Sequence, residues 1–463
     1  MRLLTNPRIL NEEYYGTNNE LKKAEMALER LKERIDKEEV AVDIPASEEY
    51  AVLKEALCKV FGFSDILLQA GLFYNDAIYT IPLCNSPSFI ISNFKGGKYF
   101  TKNEYGICFT KEADMVTTIH LDFGVMAKEG ANITGKEMLA IILHEIGHNF
   151  FSTNWKTSLL LYFSNIHTIL TMIIANITHP DMYFMIFMFA LQNIFVSNKF
   201  LVKMSSKFNT ALTNATKDTI LRKIFVTLLQ FSLLLNAEFS MVYNVIMAIF
   251  LFPVHWLYRI TSTVAISVFN LVTFGWLDTL YVGYDNEKFS DNFATTYGYG
   301  AELASGLAKI TEYDRQGHSR TLRDMCEEDS SGITQFAINL ATLPTQILSH
   351  ALTDCHPETE QRILNQIKML KTELKSKDLK PATKKKILAD LNRLEKVERT
   401  YFYASEEDNP FQKMRKAASR GQSKYGGDVR ELIRGEATAE EAKQWDQFET
   451  ALLNSKVKPL KKK

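Results

Sequence analysis

The sequence predicts an α+β fold, mainly α, with a small antiparallel sheet, a long hydrophobic helical insertion and helical extensions at both ends. Three observations carry this. Apolar residues recur at helical spacing near both termini, residues 64–130 alternate between turn signals, and residues 157–277 hold long runs without a charged side chain. The implied organisation is a helical extension over 1–60, the first part of the core over 61–156 and the insertion over 157–282. The second part of the core follows over 283–365, then a charged helical extension with a basic tail over 366–463.

A chain of 463 residues can bury a full core and divide into more than one domain. Lys plus Arg and Asp plus Glu are both 54, so no overall charge favours a nucleic-acid partner, and none is expected. The cysteines, Cys58, Cys84, Cys108, Cys326 and Cys355, are scattered and form no CxxC, which argues against a disulfide framework or a cysteine-rich metal site. Cys355 beside His356 makes a poor nucleophile pair, because adjacent residues on a helix do not face each other. No apolar h-region follows Met1, so no signal peptide is expected.

Leu21, Ala24, Leu28, Leu31 and Ile35 form a short apolar seam, the pattern of a surface helix packed on its own protein. A second helix is expected from about Ala51 to Phe63. Turns are expected at Asn85-Ser86-Pro87 and Gly96-Gly97, and Thr117 to Phe123 alternates as a half-buried strand, on which His120 reads as a strand residue rather than a ligand. Thr134, three residues before Glu137, forms a capping box that starts a helix, and Met138, Ile142 and Ile146 give that helix a buried face.

This helix carries His144-Glu145-Ile146-Gly147-His148, an HExxH run. Residues four apart share a helix face, so both imidazoles can reach one Zn²⁺, with Glu145 beside the water it would activate. Gly147 is a poor helix former, and its place here suggests close backbone packing beside the site. A zinc hydrolase needs a third protein ligand. Glu287 and Asp291 are also four apart; one carboxylate can bind metal while the other accepts the free ring N–H of a ligand histidine.

HEIGH, followed by Glu287-Lys288-Phe289-Ser290-Asp291 and by the segment His356-Pro357 to Arg362-Ile363, resembles the HExxH, ExxAD and HP motifs of the HtpX-like and CAAX prenyl endopeptidase-like gluzincin family. The resemblance covers roughly residues 110–365 and implies a zincin-like core and a zinc metalloendopeptidase with one Zn²⁺ per chain and a protein or peptide substrate. It maps His144, His148 and Glu287 to the metal, Glu145 to the general base and Asp291 to the support of a ligand histidine. His356 would face the site as a catalytic residue, and Arg362 would help hold the oxyanion or serve as a structural ion pair. Ser290 stands where the family usually has Ala, and Asn149-Phe150-Phe151 replaces its common polar run. In zinc peptidases of this kind an edge strand before the HExxH helix pairs with the substrate, and the segment 117–123 is the candidate.

Between the two zinc motifs, Thr157–Pro180, Met182–Asn198, Phe239–Tyr258 and Ile260–Leu277 contain no charged residue. Each run is near the roughly 20 residues that cross a bilayer as a helix. The ligands on either side must meet at one metal, so the crossings must be even in number, two or four. The linker 199–223 carries Lys199, Lys203, Lys207, Lys217, Arg222 and Lys223 against Asp218 alone, which the positive-inside rule assigns to the cytoplasm, together with the zinc site. Beyond Ile363, the stripe Ile363, Ile367, Leu370 and Leu374 and the stripe Ile387, Leu391 and Leu394 flank Lys380-Pro381, the pattern of two antiparallel helices. Two other readings stand beside the peptidase: a catalytically inactive membrane or assembly protein keeping a metallopeptidase-like fold, and a soluble zinc-binding interaction module whose insertion is core.

Overall fold

The structure, a computed structural model, describes Tyr15, residues 18–37, 47–71, 79–81, 100–111, 115–128, 130–151, 284–315, 359–375 and 379–408, and scattered positions within 163–173 and 410–420. It is mainly helical with a small sheet.

Helix α1 (Asn19–Ile35) starts at Asn18, whose side chain accepts from the backbone N–H groups of Glu20 and Leu21 at 3.0 and 3.1 Å. The predicted seam Leu21, Ala24, Leu28, Leu31 and Ile35 is buried along its length against α2 (Glu48–Phe61) and the helix that carries the HExxH run. Each fully buried leucine of that seam contributes about 1.5–3 kcal/mol. Helix α2 begins at Ser47, whose hydroxyl accepts from Tyr50 N–H. It ends at Gly62, whose φ of 73° is the left-handed C-cap conformation that favours glycine.

Strands β1 (Asp65–Gly71), β2 (Tyr79–Ile81) and β5 (Val116–Asp122) form one sheet in the order β1-β5-β2, while β3 (Phe100–Asn103) and β4 (Gly106–Phe109) form a separate antiparallel hairpin. The sheet is mixed, which corrects the expectation of an antiparallel one. Asp65 pairs with Val116 and Gly71 with Asp122 in parallel, whereas Tyr79 pairs with His120 in the antiparallel sense. Parallel neighbours require a long crossover, and local turn signals do not report such a connection. A second correction concerns β5. It is the central strand, with β1 and β2 on its two sides, so it is not an open edge for a substrate. The turn signals at 85–87 and 96–97 lie outside the described residues.

Helix α3 (Gly135–Phe151) opens with the predicted capping box in both directions. Glu137 N–H donates to Thr134 Oγ1 at 3.2 Å, and Thr134 N–H donates to Glu137 Oε2 at 2.8 Å. The sequence suggested one buried face, but every residue from Glu137 to Phe151 is buried. A helix apolar all round lies inside the protein, and here α1, β5, α4 (Tyr284–Thr296) and α5 (Gly300–Arg315) surround it. Phe61, Phe150, Phe293 and Tyr297 bring rings from α2, α3, α4 and the turn after α4 together. Their centroids lie 6.1 Å apart for Phe61–Phe150, 4.9 Å for Phe150–Phe293 and 5.3 Å for Phe293–Tyr297.

The C-terminal stripes form α6 (Thr359–Glu373) and α7 (Pro381–Phe402), with Pro381 in the first turn, where its missing N–H costs no helix bond. Ile363, Ile367 and Leu370 meet Ile387, Leu391 and Leu394 in a second apolar cluster, which also takes in Ala301 and Ala304 of α5. No helix among the described residues is long and apolar enough to cross a membrane. Nearly all of the charge-free runs of 157–277 lie outside the described residues. The helical positions described there include Phe163, Leu170 and Ile173, all exposed.

Candidate metal centre

His144 and His148 lie on one face of α3, buried, with ring centroids 4.6 Å apart. Their Nε2 atoms are 3.1 Å from each other. Helix α4 crosses α3 beside them and presents Glu287. Its Oε2 is 3.3 Å from His144 Nε2 and its Oε1 is 3.5 Å from His148 Nε2. Gly147 permits this crossing: a Cβ there would fall 2.7 Å from Ser290 Cα and 3.1 Å from Phe293 Cβ. The close backbone packing expected of Gly147 is therefore the α3–α4 contact itself.

The outer nitrogens of both rings have their own partners. His144 Nδ1 lies 3.0 Å from Asp291 Oδ1, and His148 Nδ1 lies 3.0 Å from Ser290 Oγ. Arg362 reaches in from α6 and grips Asp291 with a two-pronged fork, Nε to Oδ2 at 2.9 Å and Nη2 to Oδ1 at 2.5 Å. The same Nη2 is 3.8 Å from Glu287 Oε2. Arg362 is thus a buried ion-pair residue that bridges α6 and α4.

These contacts shift the charge of each group. Burial and Arg362 both oppose a proton on His144, yet the hydrogen bonds to Asp291 and Glu287 outweigh them and push its pKa up to about 9. Burial works against ionised Asp291, but the Arg362 guanidinium and His144 hold its carboxyl below the usual range. Arg362 itself is raised: burial disfavours its charge, and Asp291 more than restores it. Glu145, Glu287 and Asp291 are all buried, and each interacts with the Arg362 cation. A proton on an imidazole or a bound cation would offset part of their negative charge.

The ligand-type atoms lie close enough together to hold a metal ion. Both Nδ1 atoms have oxygen partners, which leaves the two Nε2 atoms, 3.1 Å apart, facing the Glu287 carboxylate; once deprotonated, they could share one cation. Metal–ligand bonds of about 2.0–2.1 Å place tetrahedral ligands roughly 3.3 Å apart. The separations here are 3.1, 3.3 and 3.5 Å. His144, Glu145 and His148 also form a buried group able to hold a metal ion, with ligand atoms within 4.8 Å of one another. Glu145 follows His144 directly and so points about a quarter turn away from the histidine face. Glu287 offers one oxygen to each Nε2, which favours it over Glu145 as the third ligand.

Beside Glu145 the backbone is pinned to the sheet. Asn149 Nδ2 donates to Glu145 O at 3.1 Å, and Thr117 Oγ1 of β5 donates to Asn149 Oδ1 at 2.9 Å. Ser290 and Asn149, which depart from the resembling motifs, both take part in the site's hydrogen bonds. Their small polar side chains, one on each facing helix, were the available signal that each had a local partner. His356 lies outside the described residues.

Comparison of the chain with protein-family models, with curated proteins and with solved structures gave no match.

Proposed function

We propose that this protein is a zinc-dependent endopeptidase of the HtpX-like type, with His144, His148 and Glu287 as the metal ligands. One observation carries the reading: the two Nε2 atoms lie 3.1 Å apart, with the Glu287 carboxylate across both. When bound, Zn²⁺ supplies Lewis acidity and brings the pKa of water down to about 7.

The chain's own residues do the rest. Glu145 accepts the proton of the attacking water and passes it to the leaving amine. Asp291 accepts His144 Nδ1–H and keeps that ring's Nε2 lone pair aimed inward. Arg362 neutralises Asp291 and holds it in place. The buried walls from α3 and α4 exclude bulk water and so strengthen each of these electrostatic contacts. The apolar insertion would associate with a bilayer, with the site on the cytoplasmic side, as the basic linker 199–223 suggests.

The test is Glu145→Gln, assayed for zinc content and for cleavage of an unstructured protein substrate such as casein. The variant should keep its zinc and lose about 10²–10⁴-fold in rate. Cleavage at the wild-type rate would refute the assigned base. Zinc-loaded wild-type protein without any cleavage would support the inactive, assembly-protein reading instead.

A further inference from the structure

We propose that Ser290 is the positioning residue of His148, a role separate from that of Asp291 on His144. The proposal rests on the zinc reading above and deepens it. Helix α4 turns three residues toward the centre, Glu287, Ser290 and Asp291, which share one face by their spacing of three and four. Consecutive residues then serve different rings: Ser290 Oγ meets His148 Nδ1 and Asp291 Oδ1 meets His144 Nδ1, each at 3.0 Å.

An imidazole binds a metal through one nitrogen, and the hydrogen bond at the other fixes which one and how the ring is turned. Ser290 is completely buried, so no solvent molecule at the surface replaces its hydroxyl. Its short side chain also suits the close crossing, where Gly147 leaves no room between the two backbones. The alanine usual at this place in the resembling motif lacks the hydroxyl that meets His148 Nδ1 here. This chain therefore anchors both histidines from a single turn of α4.

The experiment is equilibrium Zn²⁺ binding by chelator competition on the full-length protein, wild type against Ser290→Ala, with the melting curve of the metal-free proteins as the folding control. Ser290→Ala should weaken zinc binding roughly 10- to 100-fold while the metal-free protein still melts in a single cooperative transition. Equal zinc affinity in the two proteins would overturn the role of Ser290 and leave the zinc site standing. Failure of wild type to take up Zn²⁺ would instead remove the zinc reading itself. Should Ser290→Ala not fold, ¹⁵N-imidazole NMR of zinc-loaded wild type decides: a protonated His148 Nδ1 is expected, and metal coordination through Nδ1 would contradict the proposal.

Discussion

Gly147 and Ser290 stand backbone to backbone, so close that a single methyl group on Gly147 would lie 2.7 Å from Ser290 Cα. The contact sets how far Glu287 projects toward the two histidines, because Glu287 and Ser290 are one turn apart on the same helix. Gly147→Ala should push α3 and α4 apart and destabilise the fold by about 1–3 kcal/mol, as overpacking does. Urea denaturation measures the loss, and weaker zinc binding should accompany it.

Arg362 and Asp291 form a buried pair from helices far apart in the chain. Arg362→Leu should cost about 3–5 kcal/mol, because it strands the Asp291 carboxylate away from water. Arg362→Leu combined with Asp291→Asn should recover part of that stability, since the uncompensated charge is then gone. Chemical denaturation of the two single variants and the double variant tests this coupling.

Glu302 on α5 is buried between Lys136 and Arg393, each with a nitrogen 2.5 Å from Glu302 Oε1. Burial opposes its charge, but the bond to Lys136 and the charge of Arg393 hold its carboxyl below the ordinary 4.5. A depressed folded-state pKa contributes stability that is present above the unfolded value and lost as pH falls through the folded one. The stability difference between wild type and Glu302→Gln should therefore be full at pH 7 and shrink below about pH 4.5. Denaturation midpoints at a series of pH values measure it. A difference that grows on acidification would contradict the ion-pair account.

Much of the helical framework was legible because it is written locally. The Thr134–Glu137 box, the Leu21 to Ile35 seam and the two C-terminal stripes each rest on spacings within a few turns, and each appears in the structure. The HExxH geometry was legible for the same reason. The sheet was not. The pairing of Asp65 with Val116 joins strands that no local pattern links, so neither its parallel sense nor the central place of β5 could be read. Nor could the reach of Arg362 to Asp291, which depends on how α6 packs against α4.

In the proposed site Glu287 completes the ligand set begun by His144 and His148. Zinc content per chain, measured after exhaustive dialysis of wild type and Glu287→Ala, decides whether it does. One zinc per wild-type chain and little in the variant is the predicted result. Equal zinc in both proteins would mean that another group, such as Glu145, completes the site, and the account would be wrong.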